Sequence, residues 1–242
     1  MSAEAGAGDG ARLNKFGARE LIGGYTAALV NAALLFAAAG TLTPLAVTWR
    51  GWLYCLLFTV WGVGHTAYLA RRNPELLNHR GQRKPDVRSW DMALLLVFGL
   101  AWPIGIPVVA GLEIGRWGAT MPAWWVIPGA LLYVFGLWIF TWATVVNTFF
   151  EKTVRIQRDR AQHVIDAGPY ARVRHPGYVG TAAWCVAAPM ITGSWWCWIP
   201  ALIAAGSMVI RTALEDRTLR AELAGYDAYA ARVRYRLVPG LW

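Results

Sequence analysis

Long uncharged apolar runs dominate the sequence, and they restrict the possible folds more than any other feature. The longest, residues 176–210, contains no charged side chain. An α-helix rises about 1.5 Å per residue, so the hydrocarbon core of a bilayer, about 30 Å thick, needs about 20 apolar residues. Only 15% of the residues are charged, whereas a soluble domain carries about a quarter. The chain is therefore predicted to be an integral membrane protein.

The same length rule divides the chain into six membrane crossings. One span each is predicted for residues 21–47, 51–70, 92–112 and 117–150, the last with an interfacial lead-in, MPAWW. Residues 176–210 exceed one helix, and Pro189, Gly193 and Pro200 predict a helical hairpin that turns near Gly193. We expect an all-α integral membrane protein with about six transmembrane helices, including this C-terminal hairpin. Cytoplasmic interfacial helices are also expected, one of them over PELLNHR with Pro74 in its first turn.

The basic residues indicate the orientation, because Lys and Arg accumulate in cytoplasmic loops. With six crossings and a cytoplasmic N-terminus, all 23 except Arg50 and Arg116 fall on the inner side. The net charge of +9 is thus explained by topology and by attraction to anionic membrane lipids, and no nucleic-acid partner is expected. Both termini are predicted to be cytoplasmic. The Ala-, Arg- and Trp-rich composition favours a bacterial inner membrane protein.

Three regions are predicted along the chain. Residues 1–20 form a flexible tail, residues 21–112 the N-terminal transmembrane helices, and residues 113–242 a core that carries the functional site. The three cysteines lack the paired spacing of a metal site or a disulfide framework, so no metal is expected. Asp91 and Glu113 are interpreted as lone acids at span ends, where a charge costs little. No oligomeric state is predicted.

The segment GPYARVRHPGYVG gathers cationic and aromatic residues at the start of the longest apolar run. Pro176 suits the first position of a helix, with His175 as its cap. Free N–H groups of that first turn, with Arg174 and His175, would form an anion pocket. Tyr170 and Tyr178 would offer ring faces to a cation. The alternative is that the arginines contact lipid phosphates and the tyrosines join the interfacial aromatic belt.

A second cluster lies at the inner end of the last span. Arg211 and Glu215 are four residues apart and share one face of a helix, and Asp216 follows at once. Charges this close to the hydrocarbon normally face the bundle interior with a partner. Under the hairpin topology both clusters lie on one side of the membrane, so they are predicted to share one site. An ordinary ion pair between Arg211 and Glu215 is the alternative.

Together these segments resemble a known family. GPYARVRHPGYVG, RTALEDRTL, AGYDAY and VRYRLVPG follow the order and spacing of the isoprenylcysteine carboxyl methyltransferase and phospholipid methyltransferase superfamily. The similarity covers roughly residues 151–240. NPELLNHRG is also similar to bacterial members. One departure is Asp216, where the pattern usually has a second Glu.

The resemblance implies an S-adenosylmethionine-dependent integral membrane methyltransferase with a lipophilic or lipid acceptor in the bilayer. Its cofactor site would lie at the cytoplasmic face. Arg211 would orient a carboxylate acceptor in bidentate fashion, or Glu215 would act as base for an amine or hydroxyl. The cofactor-binding residues implied are Tyr170, Arg174, His175, Tyr178, Gly180, Glu215, Asp216 and Tyr226.

Two other functions remain open at the level of sequence. NADPH-dependent membrane sterol and steroid reductases carry a similar RHP segment, but with Asn where this chain has Gly177. A membrane transporter or non-enzymatic scaffold is the second alternative. It would need polar groups near the bilayer midplane, and His65 and Asn31 are the notable candidates. His65 is more simply interpreted as a buried, satisfied histidine.

Overall fold

The computed structural model describes residues 12–40, 45–82, 84, 86–118 and 121–242, with side chains omitted for residues 45–48. The described residues contain α-helices, a few 3₁₀ and π turns, and no β-strand, which confirms the all-α prediction. The helices are α1 (Lys15–Ala39), α2 (Leu45–Thr59), α3 (His65–Arg72), α4 (Pro74–Arg80), α5 (Ser89–Leu100), α6 (Ile106–Leu112), α7 (Val126–Val146), α8 (Pro176–Thr192), α9 (Trp198–Glu222) and α10 (Tyr226–Arg232).

Five continuous helical segments of the described chain are long and apolar enough to cross a membrane. They are Lys15–Ala39, Trp49–Arg72, Ser89–Trp117, Ala123–Val146 and Trp198–Glu222. Single π-helical turns join α2 to α3 and α5 to α6 without breaking the segment. The predicted hairpin is also present, since α8 and α9 pack against each other. With 17 residues, α8 spans about 26 Å.

The first span begins earlier than residue 21, where the sequence placed it. The side chain of Asn14 accepts hydrogen bonds from the backbone N–H groups of Phe16 (2.9 Å) and Gly17 (3.3 Å), and this cap starts α1 at Lys15. The helix ends at Gly40, which has a φ of 70°, well before residue 47. Of the predicted tail, residues 1–11 lie outside the described residues, and its last part is helical.

The turn between α8 and α9 is held by a buried acid. Gly193 adopts a φ of 73°, which ends α8 in the left-handed conformation that favours glycine. The Glu113 carboxylate accepts hydrogen bonds from the N–H groups of Trp195 and Trp196, both at 3.2 Å, and from the Ser194 hydroxyl. The interpretation of Glu113 as a lone acid was therefore wrong. This carboxylate ties the π turn that follows α6 to the turn between α8 and α9.

Close backbone contact packs α8 against α7. A Cβ added at Gly180 would lie 2.7 Å from the carbonyl oxygen of Gly136, and one added at Gly136 would lie 2.8 Å from that of Gly180. Neither site has room for a side chain. Thirteen of the seventeen residues of α8 are buried, so this helix lies inside the bundle rather than at its surface.

The end of the bundle opposite Gly193 carries further polar connections. The backbone N–H of Asn14 donates to Asn78 in α4 (3.0 Å), and Lys152 donates to Glu20 in α1 (2.8 Å). Residues 147–175 and the segment after α9 pack at this same end. The start of α1, the short helix α4, the start of α8 and the end of α9 therefore lie together.

Candidate active site

Asp216 joins the two predicted clusters. Its buried carboxylate accepts hydrogen bonds from Arg174 (Nε–Oδ1 2.7 Å and Nη2–Oδ2 3.1 Å), and the His175 Nε2 lies 3.3 Å from Oδ1. Further donors are Tyr226 Oη at 3.0 Å and Arg236 Nε at 2.9 Å. We call these five residues the Asp216 cluster. The start of α8, the end of α9, α10 and the C-terminal segment are thus connected by one carboxylate.

Arg174 is more constrained than the sequence predicted. Its Nη1 also donates to the carbonyl oxygens of Val233 and Arg234, both at 2.7 Å. Burial alone lowers the pKa of Arg174, but its hydrogen bonds and charge interaction with Asp216 outweigh that effect and raise it. Arg174 is therefore a permanently charged structural cation, and it is not a free anion ligand.

His175 occupies the cap position of α8 without capping it. Its side chain makes no hydrogen bond to the first turn of the helix, because the ring faces Asp216 and lies 3.4 Å from Tyr226 Oη. Burial, followed by the neighbouring Asp216 charge, raises the pKa of Tyr226 well above its ordinary value. The phenol of Tyr226 consequently stays protonated and acts as a donor.

Glu215 and Tyr178 form a second contact between α9 and α8. The Tyr178 hydroxyl donates to Glu215 Oε2 at 2.5 Å. No other hydrogen bond reaches the Glu215 carboxylate from the residues that the structure describes. Unlike Asp216, this carboxylate is only partly buried, so most of its acceptor capacity remains available to a ligand.

Arg211 pairs with Asp91 rather than with Glu215. Its Nε donates to Asp91 Oδ1 at 2.5 Å, its Nη2 to Asp91 Oδ2 at 3.3 Å, and the guanidinium carbon lies 5.4 Å from the centre of the Tyr178 ring. Asp91 is fully buried and paired. Its interpretation as a lone acid at a span end, where a charge costs little free energy, was therefore wrong. The Nε and Nη2 edge of Arg211, which would bind a carboxylate acceptor in bidentate fashion, is already occupied by Asp91.

A cavity of about 480 Å³ lies beside these residues. One face of α9 lines it through Met208, Arg211, Glu215, Leu219 and Leu223. At about 1.5 Å per residue, this face extends about 22 Å, with Glu215 near its middle. The volume lies within the usual range for small-molecule sites, about 300 to 1,000 Å³.

The two ends of the cavity differ in character. Beyond Met208 it is lined by residues in or packed against the bundle core: Trp61, Phe98, Phe140 and Trp184. Towards Leu223 it is lined by a smaller cluster outside the bundle, which includes Tyr226, Tyr229 and Val164. Met92 of α5 lines the cavity and is 54% exposed. The cavity is therefore lined by tyrosines and polar groups at one end and by apolar, aromatic side chains of the bundle core at the other, and it is bordered by α5.

Most of the residues predicted for the site line this cavity. They are Tyr170, Arg174, His175, Tyr178, Arg211, Glu215 and Tyr226. Gly180 and Asp216 do not line it, and their role as cofactor contacts stays a prediction. Gly180 packs α8 on α7, and Asp216 lies behind the cavity wall, where it orients Arg174, His175 and Tyr226.

Sequence reasoning missed the segment between α7 and α8. Asn147, Phe149, Gln157 and His163 from this segment line the cavity. The buried Gln157 donates to the Phe149 carbonyl oxygen at 2.7 Å, and the His163 ring packs edge-on against Phe149 at 5.0 Å. In the sequence, this segment is only a run of apolar and amide residues among charged ones. Such a pattern does not indicate a binding site.

Comparison with known families agrees with this geometry. Residues 124–223 match the model of the phospholipid methyltransferase family. This range contains α8, α9 and every predicted site residue except Tyr226. The match supports the assignment of this part of the chain to the integral membrane methyltransferase superfamily.

A solved structure shares the fold over most of the length of the chain. The eukaryotic intramembrane Ras methyltransferase ICMT (isoprenylcysteine carboxyl methyltransferase) matches with a TM-score of 0.52 and 18% sequence identity. The match covers 88% of this chain and 73% of that protein. None of the curated proteins compared matches the sequence.

Proposed function

We propose that the methyltransferase transfers the methyl group of S-adenosylmethionine to a lipophilic acceptor that enters from the bilayer. The observation that carries this proposal is the elongated cavity, with Glu215 between its tyrosine-lined, polar end and its apolar end. A polar nucleoside cofactor fits the first end, and the reacting part of a lipid-like acceptor fits the second. The family match over residues 124–223 supports the reaction class.

The residues at the polar end suit the charges of this cofactor. Tyr170, Tyr178 and Tyr226 offer rings, and Glu215 a carboxylate, to the sulfonium and ammonium groups. Around Asp216, the arginines 174, 220 and 236 share that carboxylate, and Arg220 also pairs with Asp227, which leaves one positive charge in excess. This charge favours the cofactor carboxylate. When bound, S-adenosylmethionine would supply an electrophilic methyl group, whose carbon–sulfur bond breaks as the acceptor attacks.

Glu215 is proposed as the base. It would take the proton that an amine or hydroxyl acceptor loses, while Tyr178 holds its carboxylate in place. A carboxylate acceptor is less well matched, because Asp91 occupies the Nε edge of Arg211. Arg211 would contact the acceptor through its remaining nitrogen, Nη1. Entry beside the exposed Met92 would leave the acceptor's tail in the bilayer, and enclosure of the reacting centre would exclude water.

Thermal unfolding of the purified full-length chain in detergent tests the cofactor. S-Adenosylmethionine should raise the unfolding temperature, since a ligand at 100 times its Kd stabilises the native state by about 2.7 kcal/mol. NADPH at the same concentration should have no effect. Stabilisation by NADPH alone would favour a reductase and contradict the proposal.

We further propose that the end of the bundle that carries the cavity faces the cytoplasm of a bacterial cell. The clustering of Lys and Arg at this end supports that orientation. The native cysteines are all buried. Labelling by a thiol reagent will therefore come from an introduced cysteine. In sealed right-side-out membrane vesicles, a membrane-impermeant maleimide should label Arg116→Cys and leave Asp227→Cys unlabelled until the vesicles are opened. The reverse pattern would refute this orientation.

A further inference from the structure

Asp91 is a buried acid on α5 whose three contacts all lead to the proposed reaction centre. Its carboxylate accepts two hydrogen bonds from Arg211 and one from the backbone N–H of Val154, the last at 2.8 Å. Asp91 lies outside residues 124–223, so the family match does not include it. It therefore connects the N-terminal helices to the matched domain at this point.

Arg211 is held on one edge and open on the other. Its Nη2 donates to the carbonyl oxygen of Lys152 at 2.6 Å as well as to Asp91, and its guanidinium lies over the Tyr178 ring. Its Nη1 makes no hydrogen bond to any residue in the described part of the chain. Because Arg211 lines the cavity, the remaining nitrogen is available to a ligand there.

We infer that Asp91 is a positioning residue, which holds Arg211 in the orientation needed to contact the acceptor beside Glu215. This inference rests on the proposed methyl transfer. Asp91 would have two effects. It would fix the Nε edge of Arg211, and it would hold residues 152–154, which line the cavity, in place beside α9.

The sequence itself shows why such a restraint is needed. Arg211 and Glu215 are four residues apart on one helical face, a spacing at which opposite charges pair. A released Arg211 could turn to Glu215 and occupy the carboxylate proposed as the base. Asp91 binds the guanidinium in place of Glu215, because both of its carboxylate oxygens lie inside the protein. Among the residues that the structure describes, Glu215 is thereby left with a single hydrogen-bond donor, Tyr178.

A double-mutant cycle tests this role. Full-length protein in detergent is given tritium-labelled S-adenosylmethionine and a polar lipid extract of the membranes in which it was expressed, and tritium transferred to the organic phase is counted. Asp91→Asn should lower kcat roughly 10- to 100-fold, since small misplacements near a reacting centre have effects of that order. The KM for S-adenosylmethionine should change less than about threefold, because Asp91 does not line the cavity. In an Arg211→Gln background, Asp91→Asn should have almost no further effect.

Glu113→Gln is the matched control, because it also neutralises a buried, hydrogen-bonded acid but at the opposite end of the bundle. It should lower thermal stability and leave kcat unchanged. If Asp91→Asn does not fold, Asp91→Glu retains the charge, displaces the carboxylate, and allows the same cycle. A wild-type kcat in the Asp91 variant, or effects of Asp91 and Arg211 that multiply independently, would overturn the inference. Absence of transfer by the wild-type protein would instead overturn the proposed function on which it rests.

Discussion

Replacing Glu215 by Gln should reduce methyl transfer about 100- to 10,000-fold, the range expected when a general base is removed. The amide keeps the size of the side chain and can still accept the hydrogen bond from Tyr178, but it cannot take a proton. Transfer from tritium-labelled S-adenosylmethionine to lipid, measured with the full-length protein in detergent, gives the rate. Equilibrium binding of the same labelled cofactor shows separately how far Glu215 contributes to its affinity.

Glu222→Gln provides the comparison on the same helix. Glu222 lies near the end of α9, is exposed, and pairs with Arg88 at the surface. Exposed pairs of this kind contribute about 0–1 kcal/mol, so this variant should retain normal transfer and binding. Undiminished transfer by Glu215→Gln would show that Glu215 is not the base.

The overall architecture could be predicted because two independent signals agreed. The length of the run 176–210 exceeded one helix, and the position of the later arginines required an even number of crossings within it. The structure confirms a hairpin at Gly193, where glycine supplies the left-handed conformation. Helix boundaries were less accurate. Apolar content alone does not mark the start of α1, which is set by Asn14 through hydrogen bonds to the first turn.

The meeting of the two clusters could also be predicted, but the pairings of their side chains could not. The contact between Tyr178 and Glu215 confirms that the RHP segment and the end of α9 meet. The partner of Arg174 was predicted to be a ligand anion, whereas it is Asp216. Local sequence favours i,i+4 pairs such as Arg211 with Glu215. It contains no information that Asp91, 120 residues away in sequence, offers a better-enclosed carboxylate.

The Asp216 cluster is expected to make a large contribution to the stability of the fold. Replacing Asp216 by Ala would leave Arg174 charged and buried without its acid, and removing one member of a buried ion pair costs about 3–5 kcal/mol. Tyr226 and Arg236 would lose the same acceptor. We expect a large decrease in the unfolding temperature and loss of labelled S-adenosylmethionine binding, because the start of α8 and α10 would no longer be held together beside the cavity. Thermal unfolding and cofactor binding by the purified variant measure the two effects.

Asp166→Ala is the matched control, since Asp166 also pairs with an arginine, Arg232, but with 55% of its side chain exposed. Its removal should change stability by no more than about 1 kcal/mol. Asp216→Asn distinguishes charge from shape, because the amide oxygen can still accept a hydrogen bond from Tyr226 or Arg174 without compensating the arginines. If Asn restored both stability and binding, the charge of Asp216 would be irrelevant and hydrogen-bond geometry alone would hold the site. If Ala also left both unchanged, the two helix ends would be kept together by the apolar contacts of Leu223, Tyr226 and Tyr229, and Asp216 would have no organising role.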